Sequence, residues 1–217
     1  MEAWEAGEEP GSRRKLYAPS AERNRDDILS GLSGILPSQG LALEIASGTG
    51  QHVVHFAKHL PELTWQPTDT EPSLLASIEA WRIESGLPNI LPAIRLDASD
   101  DNWPVSSADA IVCSNMIHIA PWAAYQGLAA GAGRTLSPGG LLALYGAYII
   151  SGRPTAPSNL EFDALLRAHN PLWGVRNLSD VTAEAGKQGL RFERVVDMPG
   201  NNFLVVFRKR RPQVPGM

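Results

Sequence analysis

The sequence predicts an α/β fold: a doubly wound, mostly parallel seven-stranded sheet that closes on a C-terminal antiparallel hairpin. Three observations predict it. Residues 41–52, LALEIASGTGQH, pass from a short apolar stretch through a glycine turn into a helical stretch. Apolar runs of strand length then alternate with stretches of helical periodicity up to residue 189, the pattern of β-α-β units with right-handed crossovers. Finally, residues 191–197 and 202–208 alternate in polarity on either side of Met198-Pro199-Gly200-Asn201, which reads as a hairpin.

Taken in order, residues 1–16 read as a flexible tail and 17–217 as one domain. The helix expected over 21–36 carries Ile28, Leu29, Leu32, Ile35 and Leu36 at helical spacing, with Ser20 as N-cap and Pro37 as stop. Residues 41–45 are the first strand, and Gly48 and Gly50 turn the chain into a helix over 53–60. The second strand, 63–67, ends at Thr68-Asp69; a helix opening near Pro72 follows, with Gly86 past its end. Pro92 interrupts the third strand, 90–96, and so places it at an edge. Residues 109–114, DAIVCS, form the fourth strand and read as fully buried. A helix over 123–135, a turn at Leu136-Ser137-Pro138-Gly139-Gly140 and a fifth strand over 141–150 come next. Residues 151–168 look inserted: a loop, then a helix over 160–168 capped by Ser158 or Asn159. A last helix, 178–189, leads into the hairpin.

A chain of 217 residues, 43% hydrophobic and 19% charged, is long enough for one sizeable core. A net charge of −4 argues against general affinity for nucleic acid or anionic membrane. The lone cysteine, Cys113, allows no internal disulfide and reads as a core residue. No apolar run reaches the ~18 residues of a spanning helix, and the N-terminus lacks a signal pattern. A cytoplasmic protein without a metal site is expected.

Ligands of open α/β sheets bind outside the C-terminal ends of the strands, so candidate residues are sought there. Gly48 and Gly50 let a ligand approach the backbone. Asp69 lies 21 residues past Gly48, where a carboxylate can accept two hydrogen bonds from a ribose diol; it also suits the N-cap of the next helix. Asn115 and His118 follow the fourth strand. His118 is a candidate base because imidazole titrates near neutrality, and equally a packed core side chain. Tyr145 lies towards the far end of the fifth strand. Arg23 and Asn24 on the first helix, with Trp173 and Arg176 after the insertion, are candidates to close over the site; a solvated face and a packed loop are the plainer readings.

The pattern E-x-A-x-G-x-G from Glu44 to Gly50 resembles motif I of class I S-adenosylmethionine-dependent methyltransferases, with Ala46 where glycine is more usual. L-x-P-G-G before the fifth strand is a further feature of that family. A narrower set occurs in order: Ser20-Ala21-Glu22-Arg23-Asn24, LEIASGTGQ at 43–51, Trp65-Gln66-Pro67, SNMIHI at 114–119 with Pro121-Trp122, Tyr145-Gly146, Ser158-Asn159 with Phe162-Asp163, Trp173-Gly174-Val175-Arg176, and Met198-Pro199 with Asn201-Asn202. Over residues 17–208 this set resembles the uncharacterised methyltransferase-like 26 family, a domain-of-unknown-function family. Asn177 departs from an expected acid and Ala147 from an expected proline. The resemblance implies the Rossmann-like methyltransferase fold and S-adenosyl-L-methionine as cofactor. It places Glu44 near the cofactor's amino group, the turn against its methionine part and Asp97 at its adenine amino group.

The expected cofactor residues are therefore Glu44, Ala46, Gly48, Gly50, Asp69, Asp97 and Asn115. The expected catalytic residues are His118, Asn115 and Tyr145. Arg23, Asn24, Ser158, Asn159, Trp173, Arg176 and Asn201 are expected around a small-molecule acceptor. No Asn-Pro-Pro-Tyr-type motif follows the fourth strand, so a cofactor-binding or interaction protein without turnover is the alternative. An NAD(P) oxidoreductase is weaker, because the glycine spacing and the terminal hairpin argue against it.

Overall fold

Seven strands form the central sheet: β1 (Gly40–Ile45), β2 (Leu63–Asp69), β3 (Ile94–Arg95), β4 (Ala108–Ser114), β5 (Leu136–Gly146), β6 (Leu190–Met198) and β7 (Asn202–Lys209). The structure, a computed structural model, describes residues 15–211 together with the backbone of Glu5–Ala6. The strand order is β6-β7-β5-β4-β1-β2-β3. All neighbours are parallel except β7, which runs antiparallel to both β5 and β6. This is the doubly wound sheet with a terminal hairpin that the sequence predicts.

Helices α1 (Pro19–Ser33), α2 (Gln51–His59) and α3 (Pro72–Ser85) supply one face, and α4 (Trp122–Thr135) and α6 (Leu178–Lys187) the other. Strand alternation sorts the core accordingly. Ala42, Val112, Ala143, Tyr145 and Leu204 pack with Ile28, Leu32, Phe56 and Ile78. Leu43, Ile45, Ile111, Cys113, Leu142 and Leu144 pack with Tyr125, Leu128 and Val181. Burial pushes the Cys113 thiol up to about 12, so it remains a protonated core residue.

Several boundaries differ from expectation. Ala18, not Ser20, flanks α1, and Ala156, not Ser158 or Asn159, flanks α5 (Pro157–His169). In both, a proline occupies the first turn, where its missing N–H costs nothing and its fixed φ suits the helix. The third strand shrinks to Ile94–Arg95, with one isolated bridge between Trp65 and Ile90 upstream of Pro92. The expected turn at Leu136–Gly140 lies within β5 as a register shift against β4. Beyond Gly146 the chain leaves the sheet, and Tyr148–Ile149 pairs in parallel with Arg176–Asn177. The segment expected as a tail, 1–16, falls mostly outside the described residues. Its last two residues lie on α3, where Trp81 Nε1 donates to Leu16 O at 2.9 Å.

Candidate functional site

The chain leaves β1 through a run of left-handed backbone at Ala46 (φ 55°), Gly48 (φ 61°) and Gly50 (φ 96°). At Gly50 an added Cβ would lie 2.9 Å from Ile78 Cα, so only glycine lets α3 pack there. At Gly48 an added Cβ would meet nothing within 4 Å. The turn is thus closed on one side by α3 and open on the other.

Asp69, at the end of β2, braces this turn. Its Oδ2 accepts from Gly48 N at 3.0 Å, and its Oδ1 accepts from Thr70 N at 2.8 Å and Glu71 N at 3.2 Å. Burial raises its pKa, and those three N–H bonds pull the other way. A carboxylate has about four lone-pair positions, so three accepted bonds leave capacity for a further donor. Asp97, half-buried beyond β3, accepts from Ser99 N at 2.9 Å and Ser99 Oγ at 2.5 Å, which lowers its pKa.

Glu44 is 2% exposed, and its Oε2 has no hydrogen-bond partner. Burial pushes its pKa up to about 8; a bond from Ser47 opposes this and the Asp69 charge adds to it. Ser114 pairs with Tyr145 in the β4–β5 ladder, and its buried Oγ is also unpartnered. By strand alternation Glu44, Ser114 and Tyr145 share the α1 face, at the C-terminal ends of three adjacent central strands. Asn24 of α1 reaches the same place: it hydrogen-bonds the Tyr145 hydroxyl, and its Oδ1 lies 2.8 Å from His52 Nε2. Arg23, beside it, is an exposed residue of α1.

His118 stands on the other face. Asn115 opens its short helix in a left-handed conformation (φ 61°), with its N–H donating to Tyr145 O at 2.8 Å. The His118 ring is 0% exposed, and neither nitrogen has a partner. It packs edge-on against Tyr148, with centroids 5.3 Å apart, and against Gly146, where an added Cβ would come 2.3 Å from Nε2. Burial pushes its pKa down to about 4, against a smaller opposing pull from the Gly174 backbone. The structure therefore brings Asn115 and His118 together but turns the Tyr145 side chain to the opposite face.

The remaining expected residues hold one another. Arg176 donates to Ile117 O at 2.9 Å, Ala120 O at 2.7 Å and Leu172 O at 2.8 Å, stapling the His118 loop to the post-insertion loop. Gly174 N donates to His118 O at 3.0 Å. The Trp173 ring lies tilted against His169, with centroids 5.1 Å apart. Asn201 Nδ2 donates to Ser158 Oγ at 3.0 Å, and Asn159 Nδ2 donates to Asn201 O at 2.9 Å, tying α5 to the hairpin turn. Arg176, Ser158, Asn159 and Asn201 thus have structural partners. Sequence reasoning gave no site role to Ser114 or to Asp163, whose Oδ1 accepts from Val175 N at 2.8 Å. The i,i+4 pairing of Asp163 with Arg167 was the available signal for Asp163. Ser114 gave none.

A family profile described as "Protein of unknown function (DUF938)" matches residues 15–209. The chain belongs to the DUF938 family. Among solved structures, this DUF938 chain is similar to an O-methyltransferase family protein from Burkholderia thailandensis, at 16% identity and TM-score 0.75 over 89% of this chain and 58% of that one. It is also similar to the mitomycin 7-O-methyltransferase MmcR, at 20% identity and TM-score 0.74 over 88% and 54%. A third is CalO1, a methyltransferase of calicheamicin biosynthesis in its S-adenosylhomocysteine-bound form, at 16% identity and TM-score 0.71 over 87% and 54%. The DUF938 chain spans little more than half the length of these proteins, and the likeness is one of fold. Among the described residues, no helix is long and apolar enough to cross a membrane, and no group of three or more His, Cys, Asp or Glu side chains is placed to hold a metal ion.

Proposed function

We propose that the chain is an S-adenosylmethionine-dependent methyltransferase acting on a small molecule, and that within its family it corresponds to the methyltransferase-like 26 proteins. One observation carries this reading: a buried carboxylate oxygen at Glu44 without a partner, beside a glycine turn that is open at Gly48. A cationic ammonium is the group that would return Glu44 to its charged form, because an opposite charge offsets burial. The cofactor has such a group, and the methyl it supplies when bound is electrophilic. In this reading Glu44 and the open side of Gly48 receive the methionine part. Asp69 takes the ribose hydroxyls with its remaining capacity, and Asp97 takes the adenine. Asn24 and Tyr145, together on the α1 face, border the acceptor. The chain's contribution is to hold donor and acceptor in line and to exclude water. The S-adenosylhomocysteine-bound form of CalO1 supports the cofactor class. An O-methyltransferase family 2 protein from Planctomyces limnophilus in complex with apigenin, 18% identical with TM-score 0.69, supports a small-molecule acceptor.

Calorimetric titration of ligand-free protein with S-adenosylhomocysteine tests this. Micromolar binding, about −8 kcal/mol, is expected; folded, ligand-free protein that binds nothing refutes it. A second reading, cofactor binding without transfer, is favoured by the enclosure of His118, which withdraws that imidazole from work as a base. Methylated product in a broad acceptor screen would reject that second reading.

A further inference from the structure

We propose that residues 15–18 form a strap built into the glycine turn, and that Ser77 and Gln51 are positioning residues joining the two. The inference rests on the reading above only for the identity of the ligand. The coupling belongs to the free protein.

Thr49, between the two turn glycines, is held from two directions by buried polar side chains. Ser77 of α3 is 0% exposed; its hydroxyl donates to Thr49 O at 2.8 Å and accepts from Leu16 N at 2.8 Å. One hydroxyl thus stands between turn and strap. Gln51, the first residue of α2, is 2% exposed. Its Oε1 accepts from Thr49 Oγ1 at 2.9 Å and from Ala18 N at 2.6 Å, and its Nε2 donates to Glu22 Oε2 at 3.2 Å. The strap has a separate anchor on α3. Trp81 Nε1 donates to Leu16 O at 2.9 Å, and the Lys15 ammonium lies 3.7 Å from the Trp81 ring centroid while pairing with Glu84.

Two physical consequences follow. Buried hydroxyl and amide groups are costly to leave half-satisfied, so a strap that lifts strips Ser77 and Gln51 of partners and loosens their hold on Thr49. The two glycines that flank Thr49 leave the turn backbone conformationally free, so these bonds are what fix Thr49. Order in the strap and order in the turn are therefore one equilibrium. A ligand that requires the ordered turn draws the strap down, and loosening the strap weakens that ligand, as reciprocity of coupling demands.

The test uses the full chain as wild type, Ser77→Ala and Trp81→Phe. Amide hydrogen exchange is followed at Leu16, Ala18 and Gly50, without ligand and with saturating S-adenosylhomocysteine, beside calorimetry. Trp81→Phe discriminates, because Trp81 bonds the strap while the hold on Thr49 comes from Ser77 and Gln51. In the free protein Trp81→Phe should speed exchange at Leu16, Ala18 and Gly50 together, by about tenfold or more. In the wild type S-adenosylhomocysteine should slow all three, and it should bind Trp81→Phe roughly fivefold more weakly. A merely structural Ser77 would lower the unfolding midpoint of Ser77→Ala and leave ligand-dependent protection of Leu16 intact; the proposal requires that protection to shrink. Faster exchange at Leu16 with unchanged exchange at Gly50 in Trp81→Phe overturns the coupling. If the wild type binds no S-adenosylhomocysteine, the cofactor assignment falls, and the free-protein exchange still decides the coupling.

Discussion

Replacing Glu44 by glutamine should abolish a fall in stability between about pH 6.5 and pH 8. Burial, against the bond from Ser47, raises the Glu44 carboxyl from 4.5 to about 8. Across that span the folded chain holds a proton that the unfolded chain has released. For a raised acid, stability is greatest at low pH and is lost as pH climbs towards the folded value, at ~1.4 kcal/mol per pH unit. His52 and His118 act in the opposite sense, because burial lowers both from 6.5 to about 4. Their contribution is lost as pH falls below 6.5, so they are silent above it. From 6.5 to 8 Glu44 is the group left titrating among these three, and its loss amounts to ~2 kcal/mol. Glutamine keeps the shape and has no proton to release. Urea unfolding of ligand-free wild type and Glu44→Gln across this window, with midpoints converted through the m-value, reads the difference. A wild-type-minus-variant difference constant to within ~0.5 kcal/mol would falsify the account of an uncompensated buried carboxyl.

Other substitutions probe the opposite face and the staple. His118→Phe replaces a buried ring with two unpartnered nitrogens by an apolar ring, and should raise stability at neutral pH by ~1 kcal/mol in chemical denaturation; clear destabilisation would mean that the nitrogens have partners. Gly146→Ala puts a methyl 2.3 Å from His118 Nε2 and should cost ~1–3 kcal/mol by overpacking. The clash share of that cost should vanish in a His118→Ala background, while the backbone strain at φ 159° stays; fully additive effects of the two changes would exclude the clash as a cause. Arg176→Met leaves the carbonyls of Ile117, Ala120 and Leu172 without their donor. It should cost ~1–3 kcal/mol and speed exchange of the Gly174 amide, which bonds His118 O; unchanged exchange would show that the two loops are held by other means.

Much of the fold was legible because its signals are local. The apolar runs at 41–45 and 109–114, the helical spacing of Ile28, Leu29 and Leu32, and the alternation of 202–208 each follow from one element's own periodicity. So did the edge position of the third strand, signalled by Pro92 though the strand itself begins past it. The helix starts were misplaced because Pro19 and Pro157 set the first turn before the expected Ser and Asn caps could. The candidate site was legible less evenly. Gly48, Gly50 and Asp69 stand out by spacing, and the structure joins them through the bond from Gly48 N to Asp69.

The sequence by itself determined the order of elements, the glycine turn at the end of the first strand and the acids at the ends of the next two. Tertiary structure decided which polar groups meet. Tyr145 and His118 look like neighbours in function, yet the two-residue period of β5 sends Tyr145 to the α1 face, while Gly146 presents the face against His118. Ser77 and Gln51 read as ordinary helix residues until the fold sets Leu16 and Thr49 on either side of one, and Ala18 and Thr49 against the other. Glu44 carries no mark of an elevated pKa in its neighbours along the chain, because its burial exists only once β1 lies between β2 and β4. Periodicity is written in adjacent residues. Hydrogen-bond partnership and burial depend on residues that are distant in the chain and close only when it is folded.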